Sequence, residues 1–396
     1  MVVTKRAIGT SRTFRGKLKD AFILSLPALF LCLIFDFVGG AVLGKNWATI
    51  KNDFPLIIFV LPGLMDLRGN IFSALASRFT TALHLGRIRN MREKEVTTQI
   101  VMAILSSKIP LIVLWVVGLV IVGHIYQGII VLLIVIASAI FIGVLLGYGT
   151  AAITIIPFRH GYDPDLIAAP LISSLADLIT MPTMVYFALL YLSHPMPFFT
   201  LAGVMIAILV GLIFVARFKR EHRRAFGELA TIIGVMSLIE IITGKLLVTY
   251  QNIINAVIIV SVMWPSVNDS MGNFGSIIAA KMSTRIHLEG VESVISRETV
   301  YDFVSLLILA PIIGYLTNLI SMWVVRDYIH KSASMLWQFM LGFPVVILAS
   351  MLIGLIMAIL AHKFHWDPDN VAIPVVTTLS DVIGTLFLVW VALSVM

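Results

Sequence analysis

Apolar runs of about 20 residues or more recur from Ala21 to the last residue of this chain, and no other feature restricts the fold as much. A helix of roughly 20 apolar residues crosses a bilayer core of about 30 Å. Backbone polar groups in hydrocarbon must be paired inside the segment or inside a closed barrel. A barrel would read as short alternating segments, and those are absent, so an all-α polytopic membrane protein is expected. Charged residues are only 12% of the chain, about half the share of a soluble domain. Residues 1–20, with Lys5, Arg6, Arg12, Arg15, Lys17 and Lys19, resemble a signal-peptide n-region. The apolar run after them is too long for an h-region and lacks a small-x-small cleavage site, so it reads as a retained span. Cys32 is the single cysteine, which excludes an internal disulfide and a Cys-rich metal centre.

About eleven spans can be drawn, near 21–44, 54–84, 99–123, 127–156, 165–192, 198–217, 229–249, 255–286, 300–325, 333–361 and 370–395. Two of them, 54–84 and 255–286, exceed what a bilayer needs and are expected to project into the cytoplasm or to break midway. The loops alternate in charge. The N-terminus, Arg78–Arg92 and Ala216–Phe226 are basic, while Lys45–Asp53, Gly123–Gln127 and Ser193–Pro197 carry little charge. The positive-inside rule therefore expects a cell-membrane protein with a cytoplasmic N-terminus and an extracytoplasmic C-terminus. The net charge of +7 belongs to this loop pattern. The lipid bilayer is the expected partner, and nucleic acid is not.

Two long segments are written twice. "DPDLIAAPLISSLADLITMP" (Asp163–Pro182) returns as "DPDNVAIPVVTTLSDVIGTL" (Asp367–Leu386), and "LPGLMDLRGNIFSALASRFTTALHLG" (Leu61–Gly86) returns as "WPSVNDSMGNFGSIIAAKMSTRIHLE" (Trp264–Glu289). Pro62 then meets Pro265, Asp66 meets Asp269, and Gly69-Asn70 meets Gly272-Asn273. Asp36 meets Glu240, and Gly40 meets Gly244. Two five-helix units follow, over 21–192 and 229–396. A basic cytoplasmic N-terminus (1–20) precedes them, and a linking transmembrane helix with a basic loop (193–228) joins them. Five helices per unit plus one linking span leave the units parallel, related by a pseudo-two-fold axis along the membrane normal.

Asp177 and Asp381 each lie about twelve residues into their span, near mid-depth. A carboxylate there costs several kcal/mol unless it faces water, a partner or a cation. Hydroxyl neighbours or protonation could satisfy one such acid; a matched pair points to a shared site. Ser173, Ser174, Thr377 and Thr378 stand one turn before the acids, on the same face. Pro170 and Pro374 free a carbonyl nearby. Asn70 and Asn273 reach mid-depth from the second spans, with Asp66 and Asp269 one turn outward. These oxygens suit Mg²⁺, Ca²⁺ or Mn²⁺ rather than zinc or copper. A dication about 4.5 Å from a carboxylate gains on the order of 7 kcal/mol at an effective dielectric near 20. Lys108, inside the third span, reads as a structural counter-ion to an acid, and His84, His287, Arg78 and Lys281 as residues of the cytoplasmic end. No enzyme is expected. An intramembrane aspartyl protease would also carry two acids, but Tyr162-Asp163 and Tyr301-Asp302 lie at span edges with no G-x-G-D, and H-E-x-x-H is absent.

On these residues the chain resembles the MgtE-type magnesium transporters, in the two-repeat form of solute carrier family 41. The motifs that carry the resemblance are Pro62…Asn70…Ala76-Ser77-Arg78…Thr80-Thr81, its copy Pro265…Asn273…Ala280-Lys281…Ser283-Thr284, and the two P-x₂-[ST][ST]-x₂-D segments. It covers both five-span units. The resemblance implies divalent cation transport, Mg²⁺ foremost, with Mn²⁺ and Ca²⁺ open, and no resident cofactor. It implies an ion site of Asp177 and Asp381 with Ser173, Thr377, Asn70 and Asn273, and pore-lining hydroxyls at Ser174 and Thr378. Asp66, Asp269, Asp36 and Glu240 are left to a second cation site or a vestibule. One-repeat relatives form the pore between two subunits, so a functional monomer is implied here. A channel and a Na⁺- or H⁺-coupled exchanger both remain open.

Overall fold

The computed structural model describes residues 13–84, 86–123, 125–159, 168–216, 220–364 and 368–396, and among them the chain is helical without strands. The first unit comprises α2 (Leu26–Asp53), α3 (Pro55–His84), α4 (Lys94–Ser106), α5 (Lys108–Val122), α6 (Ile125–Arg159) and α7 (Ala168–Ser193). A short amphipathic helix, α1 (Phe14–Asp20), leads into it through a π-helical turn, and α8 (Pro195–Val215) follows it. The second unit comprises α9 (Arg220–Thr249), the short α10 (Gln251–Ala256), α11 (Ile258–Glu289), α12 (Arg297–Leu307), α13 (Ala310–Trp323), α14 (Trp337–Lys363) and α15 (Pro368–Val395).

Nine helical stretches among the described residues are long and apolar enough to cross a membrane. The other two expected spans are α9 and α11, with 30 and 32 residues. Both are long enough at 1.5 Å per residue but more polar, carrying Glu240 and Lys245 in one and Asp269, Lys281 and Arg285 in the other. Those of α11 are tolerated because it runs inside the bundle, packed by α2, α14 and α15. The helix α3 is its counterpart, enclosed by α7, α9 and α6.

Of the two outcomes expected for the long spans, the midway break does not occur. The helix α3 continues through Pro62, and α11 through Pro265. The interruptions fall instead in the third span of each unit. Pro110 and Pro311 lack the N–H that would bond four residues back and crowd that carbonyl; α4 ends at Ser106 and α12 at Leu307, each four residues before its proline. The hydroxyl of Ser106 bonds the Met102 carbonyl (2.8 Å) and that of Ser107 the Ile104 carbonyl (2.7 Å), so both hydroxyls at the first break are paired within the end of α4.

One apolar core joins both units. The outer faces of α5, α8 and α14 display Val120, Phe214 and Leu341, as lipid-facing helices do. Within the basic N-terminal segment the chain is helical from Phe14 onward. Thr13 caps α1, Phe14 lies against Tyr301 (ring centroids 5.7 Å apart), and Lys17 is buried. Lys17, Lys281 and Arg285 converge on the fully buried Asp302 of α12, at 3.1, 2.9 and 2.9 Å.

Candidate functional site

Two glycines set the geometry. A Cβ on Gly40 of α2 would overlap the Val262 carbonyl oxygen of α11, and one on Gly244 of α9 would overlap the Phe59 carbonyl oxygen of α3. The first helix of each unit therefore lies backbone to backbone on the second helix of the other unit, as small residues permit in membrane bundles. One turn before each glycine stands an acid, Asp36 and Glu240.

This crossing brings six carboxylates into two groups. Asp36, Asp177 and Asp269 can bring one oxygen each within 4.8 Å of one another, and so can Asp66, Glu240 and Asp381. Each triad takes two acids from one unit and the third from the other. Asp36, Asp66, Asp177 and Glu240 are buried, Asp36 and Glu240 almost fully at 1% and 0% exposure, while Asp269 and Asp381 are partly buried. Neither oxygen of Asp36 or Glu240 has a hydrogen-bond donor. Buried acids without donors need a proton or a cation.

Between the triads lies a cavity of about 50 Å³ lined by Asp66, Asp177, Asp269 and Asp381 together with Asn70, Ser173 and Thr377. Room for one water requires about 10–15 Å³ on this measure, so an ion with a few waters fits. Gly69 and Gly272 line it too, and let α3 and α11 approach α7 and α15. A Cβ on Gly69 would lie 3.1 Å from Ser173 Oγ, and one on Gly272 3.3 Å from Thr377 Cγ2.

The polar neighbours mostly serve the acids. Asn70 Nδ2 donates to Asp66 Oδ1 (3.0 Å), and Asn273 Nδ2 to Asp269 Oδ2 (2.6 Å). Thr377 and Thr378 of α15 donate across the unit boundary to Asp66 Oδ1 and Oδ2, at 3.2 and 2.8 Å. Ser350 Oγ donates to the Met271 carbonyl (2.6 Å) and lies 2.9 Å from Ser380 Oγ, tying α11, α14 and α15 together. Trp264 Nε1 donates to Thr385 Oγ1 at 2.8 Å, locking α11 against α15.

Several expectations change. Asp177 and Asp381 share the cavity but belong to different triads, so the close groupings are two crossed triads rather than one facing pair. Asp66 and Asp269 are members of those triads and not a separate vestibule; Asp36 and Glu240 are buried behind the cavity. Ser174 and Thr378 are buried but do not line it, because each lies about 100° around its helix from the lining Ser173 or Thr377; Thr378 is committed to Asp66. Asn273 is likewise not among the lining residues. Lys108 is no counter-ion: its Nζ is buried without a hydrogen-bond partner. Arg68, not singled out from the sequence, is 4% exposed, and its Nη1 and Nη2 have no acceptor. A charge inside "LMDLRGN" opposite Met271 in the other copy was the available signal. Asp163 and Asp367, and the side chains of Pro170, Ser77, Thr81, His84, Thr284 and His287, lie outside the described residues.

Comparison with known proteins agrees with this doubled arrangement. The sequence pattern of the MgtE family, described as a divalent cation transporter, matches twice, at residues 61–189 and 264–391. Solute carrier family 41 member 2 of Mus musculus is 26% identical, over 96% of this chain and 72% of its own length. The protein of the same name in Gallus gallus is 26% identical over 93% and 70%, and that in Homo sapiens 25% over 87% and 65%. No solved structure matches the chain. With both matched stretches meeting at one acid-lined cavity, the chain belongs to the MgtE family of divalent cation transporters.

Proposed function

We propose that the transported ion is Mg²⁺ and that it passes through the cavity between the two acid triads. The observation that carries this reading is the meeting of four carboxylates, two from each unit, around a space sized for an ion and a few waters. The lining among the described residues offers oxygen ligands and neither Cys nor His, which suits a hard cation. Mg²⁺ keeps part of its hydration, and Asn70, Ser173 and Thr377 can receive those waters. Mn²⁺ and Ca²⁺ use the same oxygens and are the competitors to test.

The route is built within one polypeptide, and the active form is a monomer with its N-terminus in the cytoplasm. An inside-negative potential of 100 mV favours inward movement of a dication by about 4.6 kcal/mol, at roughly 2.3 kcal/mol per charge. Inward flux therefore needs no coupled ion, whereas extrusion does. Flux assayed with and without a Na⁺ gradient separates a channel from an exchanger.

The test is Mg²⁺ flux into proteoliposomes. Asp177→Asn and Asp381→Asn should each abolish flux while the purified protein keeps its wild-type elution and helicity. Wild-type flux in either variant refutes the site.

A further inference from the structure

The two triads match residue for residue under the internal repeat, yet their surroundings do not. Arg68 of α3 has Met271 as its counterpart in α11. It is buried, and the terminal nitrogens of its guanidinium find no acceptor. Its place follows from packing. Gly63 of α3 abuts Leu114 of α5, and Gly118 of α5 abuts Phe59 of α3, so the helices run antiparallel. The same register brings Arg68 level with Lys108, whose Nζ is also buried and unpartnered. The helix α3 packs on α7, and a Cβ on Gly69, the next residue, would lie 3.1 Å from Ser173 Oγ, one turn before Asp177, so Arg68 stands at the interface that carries Asp177. Asp66 is two residues away on the same helix, but side chains at that spacing diverge by about 200° and do not face each other.

We infer that Arg68 makes the triads unequal: it is a tethered positive charge beside Asp36–Asp177–Asp269, and it directs the transported dication to Asp66–Glu240–Asp381. This rests on the cavity being the ion site. Three acids next to a fixed guanidinium are partly neutralised without a metal, and a dication placed there meets like charge in a medium that screens it poorly. The second triad has Met271 at the matching position, so its acids receive no charge from the helix position that Arg68 fills in the first. Arg68 acts through Asp177 and needs no contact with the ion.

The test is Mg²⁺ binding to the purified full chain by isothermal titration. The wild type is expected to bind one ion, Arg68→Met two, and Arg68→Lys one, since lysine keeps the charge. Asp381→Asn should weaken binding at least about tenfold more than Asp177→Asn, a difference well above calorimetric error. Two equal ions in the wild type, or one in Arg68→Met, overturn the inference and leave the cavity as the ion site. No binding in the wild type overturns both. Should Arg68→Met not be recovered folded, the two aspartate variants decide: equal effects, or a larger effect at Asp177, sink the inference.

Discussion

The packing at Gly244 makes a quantitative demand on the site. A methyl group there would overlap the Phe59 carbonyl oxygen. A carbon–oxygen contact relaxes at about 3.3–3.6 Å, and a backbone carbonyl cannot rotate away as a side chain can, so α9 must move off α3 by about 1 Å. Glu240 is one turn from Gly244, and Asp66 two turns from Phe59. A shift at the crossing therefore opens the Asp66–Glu240–Asp381 triad by a similar amount. Moving one carboxylate from about 3 to about 4 Å from a dication loses roughly 3 kcal/mol at an effective dielectric of 20. Relaxation of the helices recovers part of this, so Gly244→Ala should weaken Mg²⁺ binding about 10- to 100-fold and raise the Mg²⁺ concentration for half-maximal flux alike. Overpacking should cost a further 1–3 kcal/mol of stability, as about that much strain follows an oversized residue in a filled core. Gly211→Ala on α8, where an added Cβ meets nothing within 4 Å, is the control. Proteoliposome flux against Mg²⁺ concentration, beside thermal unfolding, measures both. Wild-type Mg²⁺ dependence in Gly244→Ala would show that the crossing does not set the triad.

Asp302→Asn strands Lys17, Lys281 and Arg285 around a neutral amide, and removing one partner of a buried ion network costs about 3–5 kcal/mol; a clearly lowered unfolding temperature is expected, and an unchanged one refutes the assignment. Light scattering of the purified protein should return the mass of one chain, 43.6 kDa, plus detergent; an obligate dimer would contradict a route built within one polypeptide. Ser350→Ala removes two buried hydrogen bonds and should lower stability by about 1–2 kcal/mol, with little change in flux, read by the same unfolding assay.

Much of the architecture can be read from periodic hydrophobicity and from the internal duplication. The pairs Asp177/Asp381, Asp66/Asp269, Asp36/Glu240 and Gly40/Gly244 all follow from alignment, and each equivalence reappears in the packing. What alignment does not carry is the choice of neighbour. It says that Asp36 and Glu240 correspond, not that Asp36 faces Asp269 of the other unit, because the crossing of α2 on α11 is a tertiary contact through a single glycine. The helix breaks were legible in principle at Pro110 and Pro311, but Pro62 and Pro265 look the same in sequence and break nothing. The difference lies in enclosure: α3 and α11 are held on all sides by neighbours. Arg68 is legible only as a mismatch with Met271 between the copies, whereas the acids stand out as matches.

The bond between Lys17 and Asp302 spans 285 residues. At a synthesis rate of about 5–20 residues per second, the lysine waits on the order of 15–60 s for its acid. Both carboxylate groups wait as well, since each lacks a member until the later helices have been inserted. Biogenesis of this transporter is therefore a late, concerted closure of two unfinished halves. Fragments made separately should be inert alone and recover cation flux only when expressed together in the same membrane.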